Sequence, residues 1–81
     1  MRVYVKLFAR ARELAGAPNI DVELPEGGTV AQLRSALLET SPALRPLAAS
    51  LLVAIGSEYA AESAVIPPGA EVACFPPVSG G

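Results

Sequence analysis

The segment from Thr29 to Ser41 most constrains what this chain can become, because it carries the main helical apolar stripe. Val30, Leu33, Leu37 and Leu38 fall on one side of a helix and suit it to lie on a sheet. Thr29 followed by Gln32 is a capping box, in which each side chain satisfies a backbone N–H of the first turn. Ser41-Pro42 ends the helix, since the residue before a proline is pushed out of helical geometry.

The rest of the chain is patterned as strands and turns. Along Arg2–Phe8, Val3, Val5 and Leu7 point one way while Arg2, Tyr4, Lys6 and Phe8 point the other. Ala9–Ala15 reads as a short helical turn stopped at Gly16 and Pro18. Ile20, Val22 and Leu24 form a second alternating run with Asp21 and Glu23 outward, closed by the turn Pro25-Glu26-Gly27-Gly28. After the helix come a β-rich run Leu51–Ile55, a Gly56-Ser57 turn and a brief edge strand over Glu58–Ala60. Pro67-Pro68-Gly69 makes another turn before the last strand, Glu71–Phe75, whose parity sets Val72 and Cys74 on one face and Ala73 and Phe75 on the other. One helix on one face of a mixed sheet is the β-grasp, or ubiquitin-like, arrangement of the α+β class. The expected organisation is a single domain over 1–75 and an extended tail over 76–81. In that topology the first and last strands run parallel at the sheet centre and finish at the same edge. Phe8 and Phe75 should then meet on the face away from the helix and form a docking patch.

Composition narrows the chemistry. With 81 residues there is no room for a second core, and 52% apolar against 17% charged residues supports one core without metals or disulfides. The single cysteine forbids an intrachain disulfide, and the absence of histidine removes Ser–His, Cys–His and the usual zinc ligand sets. No phosphate-binding loop or dinucleotide fingerprint occurs. Asp21, Glu23, Glu39 and Glu71 fit solvated positions better than a catalytic pair. The cations Arg2, Lys6, Arg10, Arg12, Arg34 and Arg45 are scattered and the net charge is −2, which disfavours nucleic acid as a partner. The first residues pattern as a strand rather than a signal peptide, and the apolar stretch Leu47–Ile55 is interrupted by Ser50 and too short to span a bilayer. A cytoplasmic location with no membrane association is expected.

What remains is the tail, Pro76-Pro77-Val78-Ser79-Gly80-Gly81. Two prolines hold the exit extended, and two residues without side chains can enter a narrow channel. Fully extended, the tail reaches roughly 20 Å, an arm able to deliver a carboxylate into a pocket on another protein. Cys74 shares its face with Val72 under the helix and has no neighbouring cation to activate it, so it reads as a core residue. Arg12, in the turn after the first strand, is a candidate to bond a partner or the outgoing tail, or else a solvated ion-pairing residue.

These features resemble the family of molybdopterin synthase small subunits, ubiquitin-like sulfur carriers of molybdenum-cofactor synthesis. The resemblance runs through Leu7-Phe8-Ala9, Arg12-Glu13, Gly16, Leu24-Pro25, Thr29-Val30, Leu33, Val53-Ala54 and Glu71-Val72-Ala73. Its specific part is the closing Phe75-Pro76-Pro77-Val78-Ser79-Gly80-Gly81. The chain departs at Ile55-Gly56, where the family often carries Val-Asn. The resemblance implies that Gly81 carries the reacting carboxylate. An adenylyltransferase similar to ubiquitin-activating enzymes would adenylate it with ATP, and a persulfide donor would convert it to a thiocarboxylate. The tail, Pro76 to Gly80, would then enter the large subunit of the synthase, whose pocket holds the pterin precursor, with Phe8, Arg12 and Phe75 contacting partners. On this reading the chain binds no cofactor or metal and is not an enzyme by itself. Sulfur carriers for thiamine or tRNA thiolation share the fold and the double glycine, a ubiquitin-like modifier of protein lysines is a reading from another class, and a plain binding module is a third.

Overall fold

The computed structural model describes residues 1–77. In β1 (Arg2–Leu7) Val3, Val5 and Leu7 are buried and Arg2, Tyr4 and Lys6 exposed, as the alternation requires. β1 pairs antiparallel with β2 (Asn19–Glu23), setting Val3 opposite Val22 and Val5 opposite Ile20. Between them lies α1 (Ala9–Ala15), closed by Gly16 at a φ of 71°, whose N–H donates to the carbonyls of Arg12 and Glu13.

α2 (Val30–Thr40) starts with the expected capping box: the Gln32 N–H donates to Thr29 Oγ1 at 3.3 Å and the Thr29 N–H to Gln32 Oε1 at 2.9 Å. Val30, Leu33 and Leu37 are buried, while Leu38 is half-buried at the margin of the stripe. Ser41 caps the helix through its N–H to the Leu37 carbonyl. A 3-10 helix (Pro42–Leu47) follows, and it seats Leu44 in the core. This element was not foreseen. Pro42 read as a breaker, yet proline suits the first turn of a helix, where no N–H partner is needed.

β3 (Leu52–Ile55) and β4 (Glu58–Tyr59) form a hairpin around Gly56-Ser57, with Gly56 at a φ of 64°. β5 (Val72–Phe75) lies between β1, to which it is parallel, and β3, to which it is antiparallel. The sheet order is β2-β1-β5-β3-β4, the expected β-grasp with α2 on one face. Strand ends fall a residue short of the alternating runs at Phe8, Leu51, Ala60 and Glu71. Arg34 on α2 ties the helix to the approach to β3: Nη1 donates to the carbonyls of Ala48 at 3.0 Å and Leu51 at 2.8 Å, and Nε to Glu62 at 3.1 Å. Apart from this clasp the interior is apolar, and no buried side chain is polar among the described residues.

Candidate docking surface and tail exit

Because β1 and β5 are parallel, with Leu7 opposite Cys74, both reach the same edge of the sheet. The Phe8 N–H donates to the Cys74 carbonyl at 3.2 Å, so Phe8 stands beside the start of the exit. The Phe8 and Phe75 rings meet with centroids 6.3 Å apart and an interplanar angle of 77°, an edge-to-face pair on the outer face of the sheet. The meeting expected from strand parity is therefore present. Such a pair is worth about 0.5–1.5 kcal/mol beyond its area.

A third ring joins them that the sequence reading did not single out. Tyr59 lies 5.5 Å from Phe75, tilted by 56°. The signal was available in the hairpin: a two-residue turn sets Tyr59 opposite Ala54, and Ala54 opposite Ala73. Two alanines in that row leave space, so the tyrosine ring leans across them toward Phe75. Leu52, opposite Phe75, extends the surface. Phe8 is 48% and Tyr59 70% exposed, whereas Phe75 is half-buried between them. The result is an apolar surface at the point where the chain leaves the sheet through half-buried Pro76 and exposed Pro77. Val78, Ser79, Gly80 and Gly81 lie outside the described residues.

The backbone beside Phe8 is unusual. Ala9 has a φ of 52° and is the one non-glycine with positive φ among the described residues. Holding an L-residue in that region costs about 1–2 kcal/mol, because its Cβ crowds the following carbonyl. Phe8 itself is extended at φ −128° and serves as the N-cap residue of α1, its carbonyl accepting from the N–H groups of Ala11 and Arg12. The expected strand residue is thus the hinge between strand and helix.

Arg12 is exposed on α1 and borders a shallow cleft with Ala9, Glu13, Gly16 and Pro18. Its side chain makes no hydrogen bond among the described residues. The structure places it next to the Phe8 hinge on the same short helix.

Cys74 is fully buried on the helix-facing side of β5, as parity required. Burial pushes its thiol up from the ordinary 9.0 to about 11, with the more distant Arg34 charge opposing weakly. The unfolded thiol ionises near 9 while the folded one stays protonated, so the folded state binds more protons between those values. The stability that this group contributes is complete below pH 9 and should fall as pH rises toward 11. Denaturant unfolding across that range should show this loss in the parent chain and a flatter profile in Cys74→Ala. Below pH 9 the variant should be less stable by about 1 kcal/mol for a small core truncation, and this difference should shrink as pH rises toward 11.

Asp21, Glu23, Glu39 and Glu71 are all exposed. Among the described residues no three His, Cys, Asp or Glu side chains gather as metal ligands, and no helix is long and apolar enough to cross a membrane.

The sequence profile of the ThiS family matches residues 5–81. The molybdopterin synthase sulfur carrier subunit of Arabidopsis thaliana is 36% identical over 81 residues, covering 100% of this chain and 84% of that protein. Its counterpart from Drosophila yakuba is also 36% identical, over 84 residues, covering 100% of this chain and 92% of that one. Among solved structures, SAMP1 from Haloferax volcanii, a small archaeal modifier protein, superposes with a TM-score of 0.87 at 32% identity, with 100% of both chains covered.

Proposed function

The chain belongs to the ThiS family, and from that premise we propose that it is a sulfur carrier of molybdenum-cofactor synthesis whose sulfur is borne by the C-terminal carboxylate of Gly81. The observation that carries this reading is the full-length likeness to molybdopterin synthase sulfur carrier subunits, tail included. The outer-face aromatic surface at the root of the tail supports it, because a carrier needs a grip for partners close to the group it delivers.

The chemistry follows from the weakness of a carboxylate as an electrophile. A Gly81 oxygen attacks the α-phosphorus of ATP on an adenylyltransferase, releasing pyrophosphate and leaving an acyl-adenylate. The terminal sulfur of a persulfide attacks the acyl carbon and AMP departs. A thiol on the donor side then cleaves the S–S bond, leaving a thiocarboxylate at Gly81 and a disulfide on the donor. In the large subunit of the synthase the thiocarboxylate sulfur attacks a carbon of the pterin precursor and displaces an oxygen substituent. Water then cleaves the resulting thioester, returning the Gly81 carboxylate and leaving the sulfur on the precursor. Two loaded carriers supply the two sulfurs of the dithiolene. The acids, bases and substrate pocket belong to these partners. This chain contributes the arm, the grip and the reacting carbonyl.

Intact-mass analysis of protein from cells that hold the activating enzyme tests the reading. The expected species has one sulfur in place of one oxygen, localised to Gly81 by fragmentation. Cys74→Ala should gain sulfur equally, since Cys74 lies buried and unactivated. A folded Cys74→Ala chain that gains none would make that cysteine a relay. The likeness to SAMP1 favours a second reading, a modifier joined to protein lysines. Lys6 is this chain's only lysine, so extended chains built on itself through several lysines are excluded. High-molecular-weight conjugates on a denaturing gel, without a thiocarboxylate intermediate serving pterin synthesis, would decide for that reading.

A further inference from the structure

We propose that Ala9 is a positioning residue: its left-handed backbone, held by an L-side chain, restricts Phe8 to the orientation in which its ring faces Phe75 at the tail exit. The inference rests on the docking role given above to the aromatic surface. Elsewhere among the described residues every positive φ is occupied by glycine: Gly16, Gly27, Gly56 and Gly69. Turns in this chain therefore use the residue that adopts such geometry without strain. Ala9 is the exception, and its methyl does not compensate by burial, because the residue is exposed. Strain without a packing return, immediately beside a functional side chain, is the pattern of a pre-organised site.

The geometry shows what the restriction holds. Phe8 is fixed on one side by its N–H to the Cys74 carbonyl at 3.2 Å, and on the other by its carbonyl, which accepts the Ala11 N–H at 3.2 Å. Both bonds belong to the Phe8 backbone, and Ala9 is the first residue of the turn that the second one closes between Phe8 and Ala11. Glycine at this position would relieve the Cβ clash and also open the mirror-image backbone regions that alanine forbids. The Phe8 ring, 48% exposed and paired edge-to-face with Phe75, would then sample other directions. A ring that must be ordered on docking binds more weakly than one already in place.

The test compares Ala9→Gly with Ala9→Asn, since asparagine keeps a Cβ yet tolerates the left-handed region better than most residues. Ala9→Gly should melt at or above the parent temperature, while the nuclear Overhauser contacts between the Phe8 and Phe75 rings weaken and their shifts average. Affinity for the synthase large subunit, measured by calorimetry, should fall roughly three- to tenfold. Ala9→Asn should restore both the ring contacts and the affinity. Unchanged ring contacts in Ala9→Gly would overturn the proposal, as would unchanged affinity for a large subunit that binds the parent chain. The ring measurement needs no partner. If the parent chain bound no large subunit, the docking reading would fall by itself, and the ring contacts would still decide the role of Ala9.

Discussion

A chain lacking Gly81 is expected to lose sulfur transfer entirely while melting at the same temperature as the parent. The two halves of this expectation have separate causes. The last element of the sheet, β5, ends at Phe75, and the last core residue along the chain is Cys74. Truncation at residue 80 therefore leaves every described element and core residue in place. The chemistry responds differently. A Gly80 carboxylate would stand one residue, about 3.5 Å, short of the position that the full arm reaches. A displacement of even about 1 Å from a productive geometry commonly costs a hundredfold in rate. Adding residues beyond Gly81 should also abolish loading, because the reacting carboxyl would become an amide carbonyl with no oxygen free to adenylate. Single-turnover sulfur transfer with the truncated and extended chains, alongside thermal melts, provides the check. Retained transfer by either chain would sink the carrier mechanism.

Much of this site could be read from spacing because strand parity is a strict rule. Once Val72 and Cys74 were assigned to the helix side, Phe75 had to face outward, and a parallel β1 brought Phe8 to it. The capping box of Thr29 and Gln32 was equally legible, since it depends on two residues at fixed separation. What escaped depended on less local causes. Tyr59 belongs to a two-residue strand, and its placement follows from pairing across Ala54 rather than from any pattern of its own. The 3-10 helix carries two prolines that signal interruption, and only tertiary burial of Leu44 makes it an element. Ala9 carries no signal at all: nothing in an alanine announces a positive φ, and the strain is imposed by the elements on either side. The legible features were those set by periodicity, whereas the missed ones were set by neighbours distant in sequence or by backbone geometry.

Phe75→Ala should weaken binding to both the adenylyltransferase and the synthase large subunit by at least roughly thirtyfold. An aromatic anchor in a desolvated pocket typically costs about 2 kcal/mol or more when truncated, and about 1.4 kcal/mol corresponds to each decade of affinity. Phe75 is the centre of the surface, touching Phe8 at 6.3 Å and Tyr59 at 5.5 Å between centroids, so its loss also removes the support of both neighbours. That double contact means the variant will lose stability as well. Two aromatic pairs at about 0.5–1.5 kcal/mol each set the scale, which leaves a domain of ordinary stability folded. The two partners should compete for the carrier, because each would cover the same rings to reach the same tail. Competition suits a carrier that must leave its activating enzyme before it can deliver. Phe8→Ala and Tyr59→Ala, at more exposed positions, should show smaller losses of stability and so separate docking from packing. Titration calorimetry of the three variants against each partner, with a thermal melt of each, is the measurement. If Phe75→Ala melted far below the parent yet bound both partners as tightly as before, the ring would be part of the fold's packing alone. The partners would then have to grip the carrier at a surface other than the one beside its tail.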